Sequence, residues 1–269
     1  MTDLTASAPP PVEKKRPGIA GIVFACFWAL VFAALAFYII ANWDPALFAR
    51  YGVPYLEGLW VTVSLVLSSF VCGAFVSLPI AFGRMSHHLL ARGPSFFFVY
   101  FFRGTPLIAQ IFLVYYGFGE FREYLDAIGL WWFFREAWFC ALFTLTLNTA
   151  AYQAEILRGA IESVPKGQWE GGRSLGISRP VIFSRIILPQ AMIVALRPYA
   201  NELILLIKGS AIVAIITVYD LFGITRQAYS RTFDFQTYIW AAILYLVIVE
   251  VLRRLTNVAE ARLTKHLQR

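Results

Sequence analysis

The stretch from Glu170 to Pro189, EGGRSLGISRPVIFSRIILP, separates two strongly apolar blocks of the chain. Arg173, Arg179 and Arg185 make it basic, and glycines punctuate it at positions 171, 172 and 176. A basic, amphipathic segment of this kind is unexpected in so hydrophobic a sequence. The apolar blocks on its two sides therefore decide the fold class.

The composition of the whole chain predicts an all-α integral membrane protein. Hydrophobic residues make up 59% and charged residues 14% of the 269 positions, whereas soluble domains average about 45–50% and about 25%. The apolar residues occur in runs of about 20, the length of a helix that crosses the hydrocarbon core. The net charge of +7 is distributed over loops between these runs, and this pattern argues against nucleic acid as a partner.

Six apolar runs predict about six transmembrane helices. They cover approximately residues 19–40, 59–82, 95–116, 138–157, 187–216 and 238–252. Basic residues gather before the first run, after the second, after the fourth and after the sixth, whereas the other connections carry no such excess. Because cytoplasmic loops are enriched in Lys and Arg, we expect both the N- and C-termini to be cytoplasmic.

The sequence contains no motif that indicates an enzyme. No P-loop, dinucleotide-binding fingerprint, Ser-His-Asp set or Cys-His set is present. Cys26, Cys72 and Cys140 lie in apolar runs without metal-ligand spacing, so neither a disulfide nor a zinc site is predicted. We predict that the chain is not an enzyme and that it binds no metal or other cofactor itself.

Polar side chains inside the predicted spans are candidates for a substrate path, because such groups are costly in lipid and usually face a cavity or one another. Asn148, Tyr152 and Glu155 share one helical face, since they are four and three residues apart. The segment RGTP at 103–106 contains a proline, which either frees backbone groups toward a cavity or only kinks the helix for packing. The candidates are Arg103, Thr105, Asn148, Tyr152, Glu155, Asn201, Glu202 and Lys208.

A cationic or zwitterionic amino acid requires a carboxylate for its amino or guanidinium group and a donor for its own carboxylate. Glu155 or Glu202 can provide the first group. Arg103, Asn148 or Lys208 can provide the second. For Glu155, Arg158 and Arg103, an internal ion pair that fastens helices together, or a headgroup contact near a membrane face, is at least as good an explanation.

Three motifs, in the expected order, resemble importer-type ABC transporter permeases. The EAA-loop signature of that family, EAA-x3-G-x9-I-x-LP, is present with glycines in place of its two alanines. FFRGTPLIAQIFLVYYG (101–117), LTLNTAAYQAEILRGAIESVPKGQWEGG (145–172) and LPQAMIVALRPYANELILLIKGSA (188–211) resemble the polar amino acid permeases, in particular those serving histidine, other basic amino acids and opines. The resemblance extends from about Tyr55 to the C-terminus.

The resemblance implies an importer-type ABC permease fold with cytoplasmic coupling helices, two short ones with a bend near Gly176. It implies that ABC ATPase subunits, which bind ATP and Mg, dock on this segment. It further implies a second homologous permease in a hetero- or homodimer and a periplasmic amino-acid-binding protein; membrane lipid is the remaining expected partner. The residues assigned to coupling are Glu170, Gly171, Gly172, Arg173, Gly176, Leu188 and Pro189.

These observations divide the chain into four parts. Residues 1–17 are predicted to be a disordered basic cytoplasmic tail, and residues 18–54 an extra N-terminal transmembrane helix with an external loop. Residues 55–255 form the permease transmembrane domain, with the coupling segment at 159–189, and residues 256–269 a basic cytoplasmic tail.

The predicted function is that of a multi-pass permease subunit in the bacterial inner membrane, which translocates polar, basic amino acids or opines by alternating access. The alternative is an ion-gradient-coupled secondary amino acid transporter, although no internal repeat supports it. A membrane scaffold without transport leaves Glu202 and Lys208 unexplained. For the stretch from Glu170 to Pro189, the alternative is a solvated basic loop that only sets the orientation of the chain.

Overall fold

The computed structural model of the protein describes residues 18–264 and is helical throughout that range, apart from short connections. Residues 1–17 and 265–269, which belong to the two predicted tails, lie outside the described range. Two π-helical turns, Leu113–Gly117 and Phe183–Ile187, and a 3₁₀ helix, Ala211–Ile216, adjoin α-helices. The α-helices are α1 (Ile19–Ala41), α2 (Pro45–Met85), α3 (Leu89–Gly104), α4 (Leu107–Phe112), α5 (Phe118–Glu120), α6 (Arg122–Ala127), α7 (Trp131–Phe134), α8 (Ala137–Ser163), α9 (Lys166–Ser174), α10 (Arg179–Ile182), α11 (Leu188–Ser210), α12 (Leu221–Thr232) and α13 (Gln236–Thr264).

Each predicted span corresponds to a helical segment, and the all-α membrane fold is confirmed. Three segments are long and apolar enough to cross a membrane: α1, α2 and the stretch Arg179–Ile216, which contains α11. A fourth consists of α3 and the stretch Leu107–Glu120, which are bent by 108° at a break. The fourth and sixth predicted spans correspond to α8 and α13, with 27 and 29 residues.

The third span differs from the continuous helix that its hydropathy predicts. α3 ends at Gly104, and α4 begins only after Pro106. Thr105 between them has an extended backbone, with φ −107° and ψ 146°, because a residue that precedes a proline avoids the α region. The proline therefore breaks the span instead of bending it slightly.

Two predicted loops or tails are also helical. Residues 45–54, expected to belong to an external loop, form the first turns of α2, which starts at Pro45. Proline favours the first helical position, since the amide hydrogen that it lacks would have no helical partner there. Residues 256–264, expected to be tail, continue α13 to Thr264.

Of the described residues, those up to Phe48 form one compact unit and those from Ala49 onward another. In the first unit, α1 has no buried residue. In the second, α8 is central: it packs against α3 and α11, and α11 packs against α13. The core around α8 contains two clusters, one with Leu65, Val66, Ile111, Leu145, Leu206 and Ile216 and the other with Ala81, Ala154, Leu157, Ile182, Ile187 and Ala191.

A buried polar corner outside the spans fixes the start of α12. Asp220 caps this helix, because its Oδ1 accepts a hydrogen bond from the Gly223 amide at 2.8 Å. The Leu221 amide donates to Thr62 Oγ1 of α2 at 3.0 Å, and Tyr245 of α13 donates to Asp220 Oδ2 at 3.4 Å. Burial raises the pKa of Asp220 from 3.8 to about 6. The Asp220 carboxyl group thus links α12 to α13, and the adjacent Leu221 amide links α12 to α2.

We expect Asp220→Ala to lower the free energy of unfolding by about 1 kcal/mol more than Asp220→Asn does, because asparagine retains the helix cap. Thermal unfolding of the purified protein in detergent at pH 7 measures the difference. Equal losses in the two variants would contradict the capping role.

The same corner predicts a pH dependence. Since the pKa of Asp220 in the folded protein lies above its unfolded value, the stability that this group contributes is complete below pH 3.8 and is lost as the pH rises through about 6. Asp220→Asn should therefore gain stability relative to the wild type between pH 4 and pH 7. If the difference in stability between Asp220→Asn and the wild type stayed constant between pH 4 and pH 7, this result would contradict the burial of a titrating carboxyl group.

Candidate translocation path and coupling segment

Amide side chains fill the break between α3 and α4. In a continuous helix, the carbonyl of Phe102 would accept from the backbone nitrogen at position 106, but proline has no hydrogen there. Instead, Gln110 Nε2 donates to the Phe102 oxygen at 2.9 Å and to Thr105 Oγ1 at 2.8 Å. Asn148 Nδ2 of α8 donates to the same Phe102 oxygen at 3.1 Å and to Gln110 Oε1 at 3.0 Å.

Two predicted path residues, Thr105 and Asn148, thus belong to a network that stabilises the break. The sequence reasoning missed Gln110, although a lone amide four residues after a proline in an apolar run is the available signal. The side chains of Gln110 and Asn148 are buried. Direct contact of Thr105 and Asn148 with substrate stays a prediction.

Glu155 is held by two arginines. Arg84 Nε, at the end of α2, donates to Glu155 Oε1 at 2.9 Å, and the Arg158 guanidinium donates to Oε2 at 2.8 Å. Arg158 also pairs with Glu162 at 2.6 Å. The Arg84–Glu155 pair joins α2 to α8, as the fastening alternative for Glu155 requires, whereas the two pairs of Arg158 lie within α8.

Three predicted path residues meet at a cavity of about 360 Å³ between α3 and α8. Arg103, Tyr152 and Glu155 line it together with Arg84 and several apolar or aromatic side chains. The Arg103 guanidinium lies 5.1 Å from the centre of the Tyr152 ring, within the range of a cation–π contact. The cavity offers guanidinium groups and an aromatic wall, which are groups that recognise the carboxylate and side chain of an amino acid, whereas its own carboxylate, Glu155, is held by Arg84 and Arg158.

Glu202 is a buried carboxylate on α11 with an exposed fraction of 7%. Its Oε1 accepts from Thr149 Oγ1 of α8 at 3.0 Å, and Thr149 in turn accepts from Gln153 Nε2 at 3.1 Å. Within residues 18–264, Glu202 forms no ion pair. Because an unpaired charge in a membrane helix is costly, Glu202 is the predicted path residue with the strongest need for a cationic partner.

The other two path residues on α11 point elsewhere. Asn201 and Lys208 are exposed, and with Arg197 they are spaced by four and seven residues on one helical face. Arg197 pairs with Glu260 of α13 at 2.7 Å. The structure does not pair Lys208 with Glu202. A polar stripe on an otherwise apolar helix is suited to face protein or water rather than lipid.

The coupling segment contains two short helices with a left-handed bend at Gly176, where φ is +73°. The Ile177 amide donates to the Gly172 oxygen at 3.1 Å and the Gly176 amide to the Arg173 oxygen at 2.9 Å, which is the Schellman pattern that ends a helix. Leu188 and Pro189 begin α11 after a π-helical turn. Such a turn accommodates the missing amide hydrogen of a proline.

The two glycines that replace the family alanines differ in their surroundings. A Cβ atom added at Gly172 would lie 2.8 Å from two carbon atoms of Ile182, whereas one added at Gly171 meets nothing within 4 Å. Gly172 therefore permits the close packing of α9 on α10. Nothing in the structure explains Gly171. Glu170 and Arg173 are exposed and form no ion pair with the described residues.

Polar and charged side chains that face a cavity or one another inside a helical membrane bundle are typical of membrane transport proteins, and this bundle has them at Arg103, Glu155 and Glu202. The model of the family described as binding-protein-dependent transport system inner membrane component matches residues 69–265. The chain belongs to this family, and it is a multi-pass membrane protein.

Relatives and solved structures agree with this assignment. The chain is 41% identical over 214 residues to the nopaline transport system permease protein NocM of Agrobacterium fabrum, which covers 79% of this chain and 89% of the relative. It is 40% identical over 210 residues to the histidine/lysine/arginine/ornithine transport system permease protein HisM of Salmonella typhimurium, with coverage of 78% and 89%. A crystal structure of an amino acid ABC transporter with histidines matches with a TM-score of 0.72 and 31% identity over 81% of this chain and 98% of that one.

These findings confirm the predicted resemblance to ABC permeases. They also confirm that the chain is a transport subunit and not an enzyme, because the relatives are named as permease proteins. The inward-facing MetNI methionine ABC transporter, with 19% identity and a TM-score of 0.67, shares the fold.

We expect Gly172→Ala to destabilise the coupling segment by about 1–3 kcal/mol, because its methyl group overlaps Ile182. Gly171→Ala, in open space, should stabilise α9 by about 0.8–1 kcal/mol through helix propensity. Limited proteolysis of the segment in the purified protein compares the two variants. The same cleavage rate in both would contradict the packing of Gly172 on Ile182.

Proposed function

We propose that the chain is the permease subunit of an ATP-driven importer that moves polar, basic amino acids or opines across the bacterial inner membrane. Glu202, a buried carboxylate without an ion pair among the described residues, is the observation that carries the choice of a cationic substrate. The names of the relatives, which include nopaline, octopine and basic amino acid permease proteins, support the same substrate class.

Separate partners complete the importer. ABC ATPase subunits bind ATP and Mg and dock on the coupling segment, where Glu170 and Arg173 are exposed. A periplasmic binding protein delivers the substrate from the other side. Both termini are cytoplasmic in this arrangement, since the basic segments are then on the inner side.

A second permease, either homologous or identical, covers the polar stripe of α11. Asn201 and Lys208 then face the substrate path or the partner instead of lipid, which removes the cost of polar groups in the hydrocarbon core. Alternating access requires the two permeases to move against each other. The coupling segment transmits closure of the ATPase dimer to α11, because the π-helical turn Phe183–Ile187 leads directly from α10 into that helix.

The substrate path uses the two carboxylates differently. Glu155 is neutralised by Arg84 and Arg158, so its negative charge is not available to a cationic substrate. Glu202 is hydrogen-bonded only to the hydroxyl of Thr149 among the described residues. Glu202 therefore attracts the substrate cation, and Arg103 beside the cavity attracts the substrate carboxylate.

We expect Glu170→Lys to abolish ATP-driven uptake while leaving the protein folded in the membrane, because Glu170 is exposed and has no ion pair within the described residues. The measurement is uptake of radiolabelled arginine into proteoliposomes that contain the chain, its ATPase, the second permease and the binding protein. Hydrolysis of ATP by the same vesicles is measured in parallel and should lose its dependence on loaded binding protein.

Glu123→Lys is the matched control, since Glu123 is exposed at the start of α6 and lies outside the coupling segment. It should retain coupled uptake. Coupled uptake that survives Glu170→Lys would argue against the docking role. Uptake that follows an ion gradient and ignores ATP would overturn the importer itself.

We expect Glu202→Gln to reduce uptake of cationic amino acids about tenfold or more relative to neutral ones, because it removes the charge and keeps the hydrogen bond with Thr149 possible. Glu155→Gln should reduce uptake of both classes alike, since it releases two partly buried arginines and loosens α2 from α8. Competition of arginine with glutamine for uptake measures the ratio. An equal loss of both substrates in Glu202→Gln would indicate a structural role for Glu202.

A further inference from the structure

A groove beside the coupling segment is lined by cations. Its volume is about 750 Å³, and we call it the basic groove; its walls are His87, Lys166, Trp169, Glu170, Arg173, Arg179, Pro180 and Phe183. Three of these side chains carry a positive charge, and one carries a negative charge. Lys166, Arg173 and Arg179 form no ion pair with residues 18–264. Arg173 and Glu170 belong to the surface that we assign to the ATPase, so Lys166 and Arg179 are the cations that remain to bind an anion.

A second groove on the same bundle is almost entirely apolar. It has a volume of about 560 Å³ and lies between α2, α8 and α11; we call it the apolar groove, and its walls are Phe70, Ala74, Phe75, Leu78, Phe82, Gln153, Leu157, Ile161, Phe183, Leu188, Met192, Leu196 and Tyr199. Several of these side chains are strongly exposed, among them Phe75 at 70% and Met192 at 47%. Groups of this type are compatible with lipid and not with water.

The two grooves adjoin at Phe183, which lines both of them. The Phe183 ring stacks on Trp169 of α9 with a centroid distance of 6.4 Å and packs edge-on against Phe82 of α2 at 5.8 Å. A single molecule with an anionic end and an apolar chain can therefore occupy both grooves at once. Neither groove alone would select such a molecule.

We propose that this composite site binds one anionic phospholipid, with its phosphate in the basic groove and an acyl chain in the apolar groove. The proposal rests on the proposed function for its orientation, in which the basic groove lies at the cytoplasmic leaflet. Clusters of Lys and Arg next to the cytoplasmic end of a membrane helix attract anionic lipids. A free phosphate shares the headgroup chemistry, but only a lipid has a chain for the apolar groove.

The bound lipid connects the coupling segment to the membrane bundle. Its headgroup contacts α9 and α10, and its chain contacts α2, α8 and α11. The anionic lipid content of the membrane then regulates how firmly the segment that receives the ATPase is held against the helices that it moves. This regulation acts at the coupling segment and not at the substrate path.

The test uses the full chain in nanodiscs of phosphatidylcholine that contain increasing fractions of phosphatidylglycerol brominated in the acyl chain. Bromine quenches tryptophan fluorescence, and the contribution of Trp169 is obtained as the difference from Trp169→Phe. We expect Trp169 to be half-quenched at a several-fold lower fraction of brominated phosphatidylglycerol than of brominated phosphatidylcholine. Equal fractions for the two lipids would overturn the proposal.

Two kinds of variant examine the two grooves separately. Lys166→Gln and Arg179→Gln should each reduce the preference for phosphatidylglycerol about fivefold, and Arg179→Lys should retain it. Arg92→Gln is the matched control, because Arg92 is an exposed cation that lines neither groove. Ala74→Phe fills the apolar groove and should weaken quenching by the lipid without changing any charge.

A preference that survives both Arg179→Gln and Ala74→Phe would overturn the site. Displacement of the lipid by millimolar inorganic phosphate alone would show a site for a free anion and would also overturn the proposal. Because neither ATPase nor substrate is present, the result is independent of the uptake measurements. Failure of the importer assay and failure of lipid binding are therefore distinguishable.

Discussion

A hydrocarbon environment provides no water, so every buried polar group in the bundle requires a partner inside the protein. The missing amide hydrogen of Pro106 shows how strongly this constraint acts. The carbonyl of Phe102 loses its helical donor, and Gln110 and Asn148 replace it with side-chain amides. These side-chain amides take the place of the missing backbone donor. They thereby stabilise the break between α3 and α4, where the two halves of the span are bent by 108° beside the cavity at Arg103.

Much of the fold could be predicted, because apolar length and loop charge are local properties of a sequence. The helices behind the six spans and the bend at Gly176 are of this kind. The partner of Glu155 was not predictable in the same way, since Arg84 lies 71 positions away and only tertiary packing brings the two together. The broken third span also escaped prediction, because hydropathy records that residues 95–116 are apolar and not that Gln110 stabilises an interruption.

The coupling segment illustrates a competition between local propensity and packing. Two consecutive glycines weaken a helix, and by propensity alone α9 should be poorly formed. Gly172 nevertheless lies where α9 touches Ile182, and a Cβ atom there would be 2.8 Å from that side chain. The glycine thus allows α9 and α10 to pack closely enough to move together. A Cβ atom at Gly171 would have no such contact. Packing therefore explains the glycine at position 172 and not the one at position 171.

The two carboxylates among the predicted path residues, Glu155 and Glu202, have different surroundings. This difference is the reason that we propose different roles for them. Glu155 has a guanidinium on each oxygen, so its negative charge is compensated within the protein. Glu202 has a hydroxyl on one oxygen and forms no ion pair with the described residues; Arg103 acts on it only as a more distant charge. A group whose charge is already compensated contributes rigidity, whereas one whose charge is uncompensated gains most from a ligand that brings the opposite charge. The bundle therefore combines a fixed ion-pair cluster at the end of α2 with a carboxylate on α11 that forms no ion pair with the described residues, and this carboxylate is the group that we propose for the substrate cation.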